Sequence, residues 1–132
     1  IGSVQCARMY GLQLLLPATQ NRSDNFTRFV ILAKQPLHHP DCQRISLIVR
    51  VQHRAGALYN ALSRFAVRGI NLLKLESRPI PDSPFEFLFY WDFDGNLDDE
   101  RVVQALHQLR EDTQYIQILG NYPEAPFSSP SL

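Results

Sequence analysis

The sequence predicts an α+β fold, a four-stranded antiparallel sheet with two helices on one face, in the order β-α-β-β-α-β. Three observations carry that expectation. Ile45 to Val51 alternates apolar and polar residues, as a half-buried strand does. Ala57 to Arg68 and Asp98 to Arg110 carry apolar residues at helical spacing. Between these helices lies the aromatic run Phe85 to Phe93, bounded by turn-forming residues. A short helix-strand remnant is expected to precede this unit.

Taken in order, the residues up to Tyr10 read as a short helix stopped by Gly11. Leu12 to Leu16 is an apolar burst closed by Pro17, and Thr27 to Leu32 is a strand candidate. Gln35 to Gln43 contains two prolines and two histidines, which marks a linker and the main domain boundary. The expected units are therefore 1–34, a linker at 35–43, the β-α-β-β-α-β domain at 44–123, and a loose Pro/Ser-rich tail at 124–132.

Within the main domain, Ile45, Leu47, Val49 and Val51 share the buried face of the first strand. His53 to Gly56 turns into a helix whose stripe is Leu58, Leu62, Phe65 and Ala66, ended by Gly69. Asn71 to Leu75 is the second strand, and Pro79, Pro81, Asp82 and Pro84 make a loop that does not continue it. The third strand is expected to bury Phe85, Phe87, Phe89, Trp91 and Phe93 on the helix side. The second helix starts on acids, buries Val102, Leu106 and Leu109, and ends near Arg110, as the helix dipole favours. Tyr115 to Leu119 is the last strand, stopped by Gly120-Asn121-Tyr122-Pro123.

Composition narrows the function. A chain of 132 residues supports one domain with a sizeable core. Net charge is zero and the 13 Lys and Arg residues are scattered, which argues against a nucleic-acid partner. No apolar run approaches the ~20 residues of a membrane span, and the start lacks the pattern of a signal peptide. Cys6 and Cys42 are far apart with no ligand-like spacing, so two ordinary thiols in a reducing, cytoplasmic setting are expected. His38, His39, Asp41 and Cys42 cluster in a loop without the spacing of a metal site. No metal and no cofactor is expected. The first residue is Ile, which is compatible with a segment of a longer protein.

Two short runs carry the candidate chemistry. Gly56-Ala57-Leu58 opens a helix directly after a strand, where small residues let an anionic group reach free backbone N–H groups. Glu76-Ser77-Arg78-Pro79 bunches two opposite charges and a hydroxyl at a strand end. Together they suit a small zwitterion. Each also has a plainer account. Gly56 serves a strand-turn-helix junction, Asn71 serves a turn after Gly69, and a Glu76–Arg78 pair on the surface contributes only ~0–1 kcal/mol. Off-face apolar residues such as Ile48 favour a dimer.

These residues resemble a known family. Arg54-Ala55-Gly56-Ala57-Leu58, Gly69-Ile70-Asn71-Leu72, Leu75-Glu76-Ser77-Arg78-Pro79 and Leu119-Gly120-Asn121-Tyr122-Pro123 resemble the regulatory, ferredoxin-like ACT domain of prephenate dehydratase. Upstream, Asn25-Phe26-Thr27-Arg28-Phe29 is similar to the Thr-Arg-Phe signature closing that enzyme's catalytic domain. The regulatory domain of the aromatic amino-acid hydroxylases has similar Gly-Ala-Leu and Glu-Ser-Arg-Pro runs, but no Thr-Arg-Phe segment before them. The resemblance extends to bifunctional chorismate mutase/prephenate dehydratases.

The resemblance implies an enzyme of phenylalanine biosynthesis that converts prephenate to phenylpyruvate, water and CO2, under inhibition by L-phenylalanine. It implies a catalytic Thr27, supported by Arg28 and Phe29, whose hydroxyl donates to the departing group; without the resemblance Thr27 reads better as a plain strand threonine. It implies an effector site of Ala55, Gly56, Ala57, Leu58, Asn71, Leu72, Glu76, Ser77, Arg78 and Pro79 at a homodimer interface. The 132 residues are then expected to bind the effector and to catalyse nothing, since most of the cleft would precede Ile1. Tyr59 stands where the family often has valine, and a dimerisation module without effector binding is the alternative.

Overall fold

The computed structural model describes residues 1–17, 19, 21–22, 27, 29–35, 39–81, 83 and 85–124. Asn25, Phe26, Arg28, His38, Asp82, Pro84 and the tail from Ala125, all named above, lie outside these. The chain divides into two compact units, Ile1–Leu32 and Ala33–Leu132.

The first unit contains helix α1, Val4–Met9. Ser3 caps it by accepting the Cys6 N–H at 3.2 Å, and Gly11 beyond it has φ 62°. The expected strand from Thr27 to Leu32 is not formed, since its described residues belong to no strand. An extended segment needs a neighbour for its N–H and C=O groups, and the described residues of this unit supply no second strand.

The second unit has the expected order: β1 (Arg44–Arg50), α2 (Ala57–Ala66), β2 (Leu72–Pro79), β3 (Phe87–Asp94), α3 (Glu100–Asp112) and β4 (Tyr115–Tyr122). The sheet runs β2-β3-β1-β4, with every pairing antiparallel. Both helices pack on the same face. Ile45, Leu47 and Val49 of β1 and Trp91 and Phe93 of β3 are buried in one cluster with Ala61 and Phe65 of α2 and Val102, Ala105 and Leu109 of α3. At its centre Phe65 meets Trp91 edge-on at 5.5 Å and Phe93 at 4.9 Å between ring centroids, a geometry favoured by the aromatic quadrupole.

Four expectations are corrected. The run Glu76 to Pro79 is strand, not turn, since Glu76 pairs with Tyr90 and Pro79 with Phe87. Pro79 fits because β2 is an edge, where a missing N–H costs no ladder bond. Likewise Gly120 to Tyr122 continue β4, opposite Ser46 to Arg44. Phe85 and Phe87 are exposed, and Phe89 is only partly buried, because the helix layer covers the Trp91–Phe93 end of β3 and not its beginning. On the helices Phe65, Val102 and Leu109 are buried as expected, together with Ala57, Ala61 and Ala105, whereas Leu58, Leu62 and Leu106 are partly buried and Ala66 is exposed.

The end of the sheet away from Pro79 is pinned by side-chain amides. Buried Asn121 accepts the Leu97 N–H at 3.1 Å and donates to the carbonyls of Arg44 at 3.0 Å and Gly95 at 3.3 Å. Asn96 donates to the carbonyls of Pro40 and Cys42, both at 2.9 Å. Beside them a Cβ on Gly95 would stand 2.8 Å from Val102 Cγ2 and 3.7 Å from Ile45 Cδ1.

Two stability outcomes follow. Phe65→Ala lowers unfolding free energy by about 3–5 kcal/mol, measured by urea denaturation. Gly95→Ala costs about 1–3 kcal/mol through overpacking; equal midpoints for Gly95→Ala and the parent would contradict the close approach described.

Candidate functional site

Strand β1 leads directly into the turn at 53–56 and the start of α2. Gly56 is the N-cap, with φ 80°, in the left-handed region that glycine adopts without strain. Ala57 N–H bonds back to the Arg54 carbonyl at 3.2 Å and Asn60 N–H to the Gly56 carbonyl at 2.9 Å. No side chain caps this helix end. The following first-turn N–H groups therefore face outward with no intrahelical acceptor.

Beside this turn lies an open cleft of about 310 Å³. One wall is Val51 to Ala55 with Leu58, and the other is Phe85 to Phe87 with Phe89. The cleft forms where β1 and β3 separate. Their pairing ends at Val49↔Phe89; beyond that point β1 turns toward α2, while the lead-in to β3 stays with β2. Val51, Leu58, Phe87 and Phe89 supply apolar surface, and Arg54 and Glu86 supply opposite charges. The lining holds no serine, threonine or cysteine, and no group of three or more metal-type ligands occurs among the described residues. The arrangement suits binding of a small amphiphile.

The residues expected at the site fall into separate places. Ala55 and Leu58 line the cleft, with Gly56 and buried Ala57 adjoining them. Ser77 is level with Val49, because Val49 pairs with Phe89 and Phe89 with Ser77, but two strand spacings away, roughly 10 Å. Glu76, Ser77, Arg78 and Pro79 thus share the cleft's end of the sheet without lining it. Asn71 and Leu72 are at the other end of β2, roughly 25 Å from Pro79 at strand rise. There Asn71 Nδ2 donates to Asp94 Oδ2 at 3.2 Å, which is the turn-like role. Tyr59 is 73% exposed and is not part of the cleft lining. Thr27 and Phe29, in the other unit, are exposed, and Arg28 lies outside the described residues.

Glu76 is held between two cations. Lys74 Nζ lies 2.8 Å from one carboxylate oxygen and Arg78 Nη2 2.5 Å from the other. The Lys74 hydrogen bond, followed by the charge of Arg78, holds the Glu76 carboxyl below its ordinary value. Residues 74, 76 and 78 alternate onto the face opposite the helices, since Glu76 pairs with Tyr90 and Arg78 with Leu88.

Sequence reasoning missed Arg50 and Glu86. Arg50 Nη2 donates to Glu86 Oε2 at 2.6 Å, tying the end of β1 to a residue of the cleft's second wall. The available signal was Glu86, an acid near the start of the aromatic run, and an arginine on a strand's polar face.

No protein-family model matches the chain. Over 95% of its length it is 40% identical to the bifunctional chorismate mutase/prephenate dehydratase of Aquifex aeolicus, covering 34% of that protein. Arogenate dehydratase 1 of Petunia hybrida is 38% identical over 93% of the chain, which covers 32% of it. The chain thus spans about a third of the length of these relatives. Among solved structures, the prephenate dehydratase of Arthrobacter aurescens in complex with L-Phe has a TM-score of 0.61 at 30% identity, over 70% of this chain and 30% of that one. A quorum-quenching acylase has a TM-score of 0.62 at 33% identity, over 73% of this chain and 34% of that one.

The depressed Glu76 value has a pH signature. A carboxyl held below its unfolded value contributes stability above that unfolded value and loses it as pH falls through the folded one. By NMR titration Glu76 therefore ionises below an ordinary glutamate, and Lys74→Met moves its midpoint upward. An unmoved midpoint would remove Lys74 as the cause.

Proposed function

This chain belongs to the prephenate dehydratase family, and on that premise we propose that its second unit is a regulatory domain binding L-phenylalanine as feedback inhibitor. The observation that carries the reading is the cleft beside an uncapped helix start. The N–H groups and Arg54 receive a carboxylate at the favourable end of the helix dipole. Val51, Leu58, Phe87 and Phe89 receive an apolar side chain. The similar Arthrobacter aurescens structure contains L-Phe. Relatives named for prephenate, arogenate and acylase chemistry all match this chain over about a third of their length, which supports binding over turnover as the role of the shared part.

In the parent enzyme the reaction is loss of water and CO2 from prephenate, and residues 1–34 belong to its catalytic domain, with Thr27 as the hydroxyl donor beside Arg28 and Phe29. The 132 residues by themselves bind effector without turnover. The free thiols Cys6 and Cys42 support a cytoplasmic setting.

A homodimer through β2 unites the scattered candidates. Two-fold antiparallel pairing about Leu75 sets residue 74 opposite 76 and residue 71 opposite 79. Lys74 then meets Glu76 of the partner subunit, and Asn71 of the partner subunit comes to Pro79 at the cleft's end of the sheet. Leu73 and Leu75, both exposed in one chain, become covered. Effector binding across this seam favours one dimer arrangement in proportion to its differential affinity, and inhibition travels that way. Exposed Tyr59 leaves the cleft in one chain unaltered, which disfavours a dimerisation module without effector.

Calorimetry and thermal melts with L-phenylalanine test the reading. Heat of binding and a rise in Tm are expected, about 2.7 kcal/mol of stabilisation at a hundredfold excess over Kd. Gly56→Val abolishes both, because a β-branched residue strains the left-handed N-cap that sets the helix start. Absence of heat and of a melting shift at millimolar ligand would sink the proposal, and phenylpyruvate formed from prephenate by the 132 residues would overturn the inactive reading.

A further inference from the structure

The walls of the cleft diverge where the β1–β3 ladder stops at Val49↔Phe89. Arg50 commits its backbone to the opposite side, pairing with Tyr115 and accepting the Gln114 N–H at 2.9 Å. The lead-in to β3 is tied elsewhere as well. Phe87 pairs with Pro79, Ile80 N–H donates to the Glu86 carbonyl at 2.9 Å, and Glu86 N–H donates to the Ser83 carbonyl at 3.2 Å. Among the described residues, the Arg50–Glu86 ion pair at 2.6 Å ties the end of β1, just before the first wall, to the second wall.

Two features set this pair apart from a solvated surface contact. Its side chains are only 34% and 37% exposed, and Arg50 Nε is enclosed without an acceptor, a cost that a mere surface arginine avoids by turning to water. Next to it, Phe85 holds φ 67°, the only described non-glycine residue in the left-handed region. A phenylalanine holds that strained conformation only where its surroundings impose it. Phe85 is 77% exposed, so its own burial does not impose it. Directly beside it Glu86 is held through its side chain to β1 and through its backbone to Ile80 and Ser83.

We propose that Arg50 and Glu86 are positioning residues of the amino-acid cleft, spanning the gap left by the ladder and presetting the spacing of its two walls. This rests on the binding reading above. With the clamp in place the Phe85–Phe87 wall is pre-organised, and the ligand avoids the ordering cost that would otherwise be subtracted from its affinity. Glu86 consequently serves the ammonium group only as a charge already engaged by Arg50, and the specificity for an apolar amino acid comes from the walls the clamp holds apart.

The test compares the 132-residue chain with Glu86→Gln, Arg50→Glu and the double exchange Arg50→Glu/Glu86→Arg. Two quantities are read: L-phenylalanine affinity by calorimetry, and hydrogen exchange at the Ile80 and Glu86 amides without ligand. Each single variant is expected to weaken binding about fivefold to tenfold and to speed exchange at both amides, with Tm nearly unmoved; the double exchange restores both. Unchanged exchange and affinity in both single variants overturn the proposal. So does failure of the double exchange to recover either quantity while it keeps the parent's Tm. If the parent shows no heat with L-phenylalanine yet the single variants exchange faster and the double recovers, the clamp stands and the amino-acid reading falls.

Discussion

Everything at the functional end of this domain depends on how the two central strands are held at their middle. Phe65 of α2 reaches the sheet between Trp91 and Phe93 of β3, and the same cluster takes Ile45, Leu47 and Val49 of β1. Because these residues are fully enclosed, a shift of one residue in register would move an apolar set into water, and the antiparallel alignment of β1 with β3 is therefore strongly specified. The alignment in turn decides where the ladder ends.

That end is where the cleft opens. Had the pairing continued one step past Val49↔Phe89, Arg50 and Leu88 would have closed the gap with main-chain bonds. Instead β1 turns at Gln52 to Gly56 into α2, and the two chains part. The helix start contributes unsatisfied N–H groups to one side of the opening, and the aromatic lead-in of β3 contributes apolar surface to the other. A cleft thus arises from incomplete pairing, with a charged bridge beside it.

Much of this was legible in the residues. The period-2 alternation of Ile45 to Val51 identified its buried face correctly, because a strand against helices admits only apolar side chains there. The second helix was announced by the acids expected at its start from Asp98; it begins at Glu100, with Asp99 as the cap accepting the Arg101 N–H. Other features were not legible. Pro79 looked like a terminator because the edge position that excuses its missing N–H belongs to the sheet, not the sequence. Phe85 looked like core because its aromatic character says nothing of how far the helix layer extends. Thr27 to Leu32 looked like a strand because β propensity carries no information about a partner.

The sequence by itself determined the element order of the second unit, the class of fold, the inward face of β1, and, by resemblance, the family. Those follow from local periodicity and from short motifs, which each stretch of chain carries within itself. Only the tertiary structure decided that Gly56 and Glu76 to Pro79 share one end of the sheet while Asn71 sits at the other, and that Arg50 and Glu86 meet. Such juxtapositions are set by strand order and register across β2-β3-β1. These long-range properties depend on which surfaces are buried together, and no single segment encodes them.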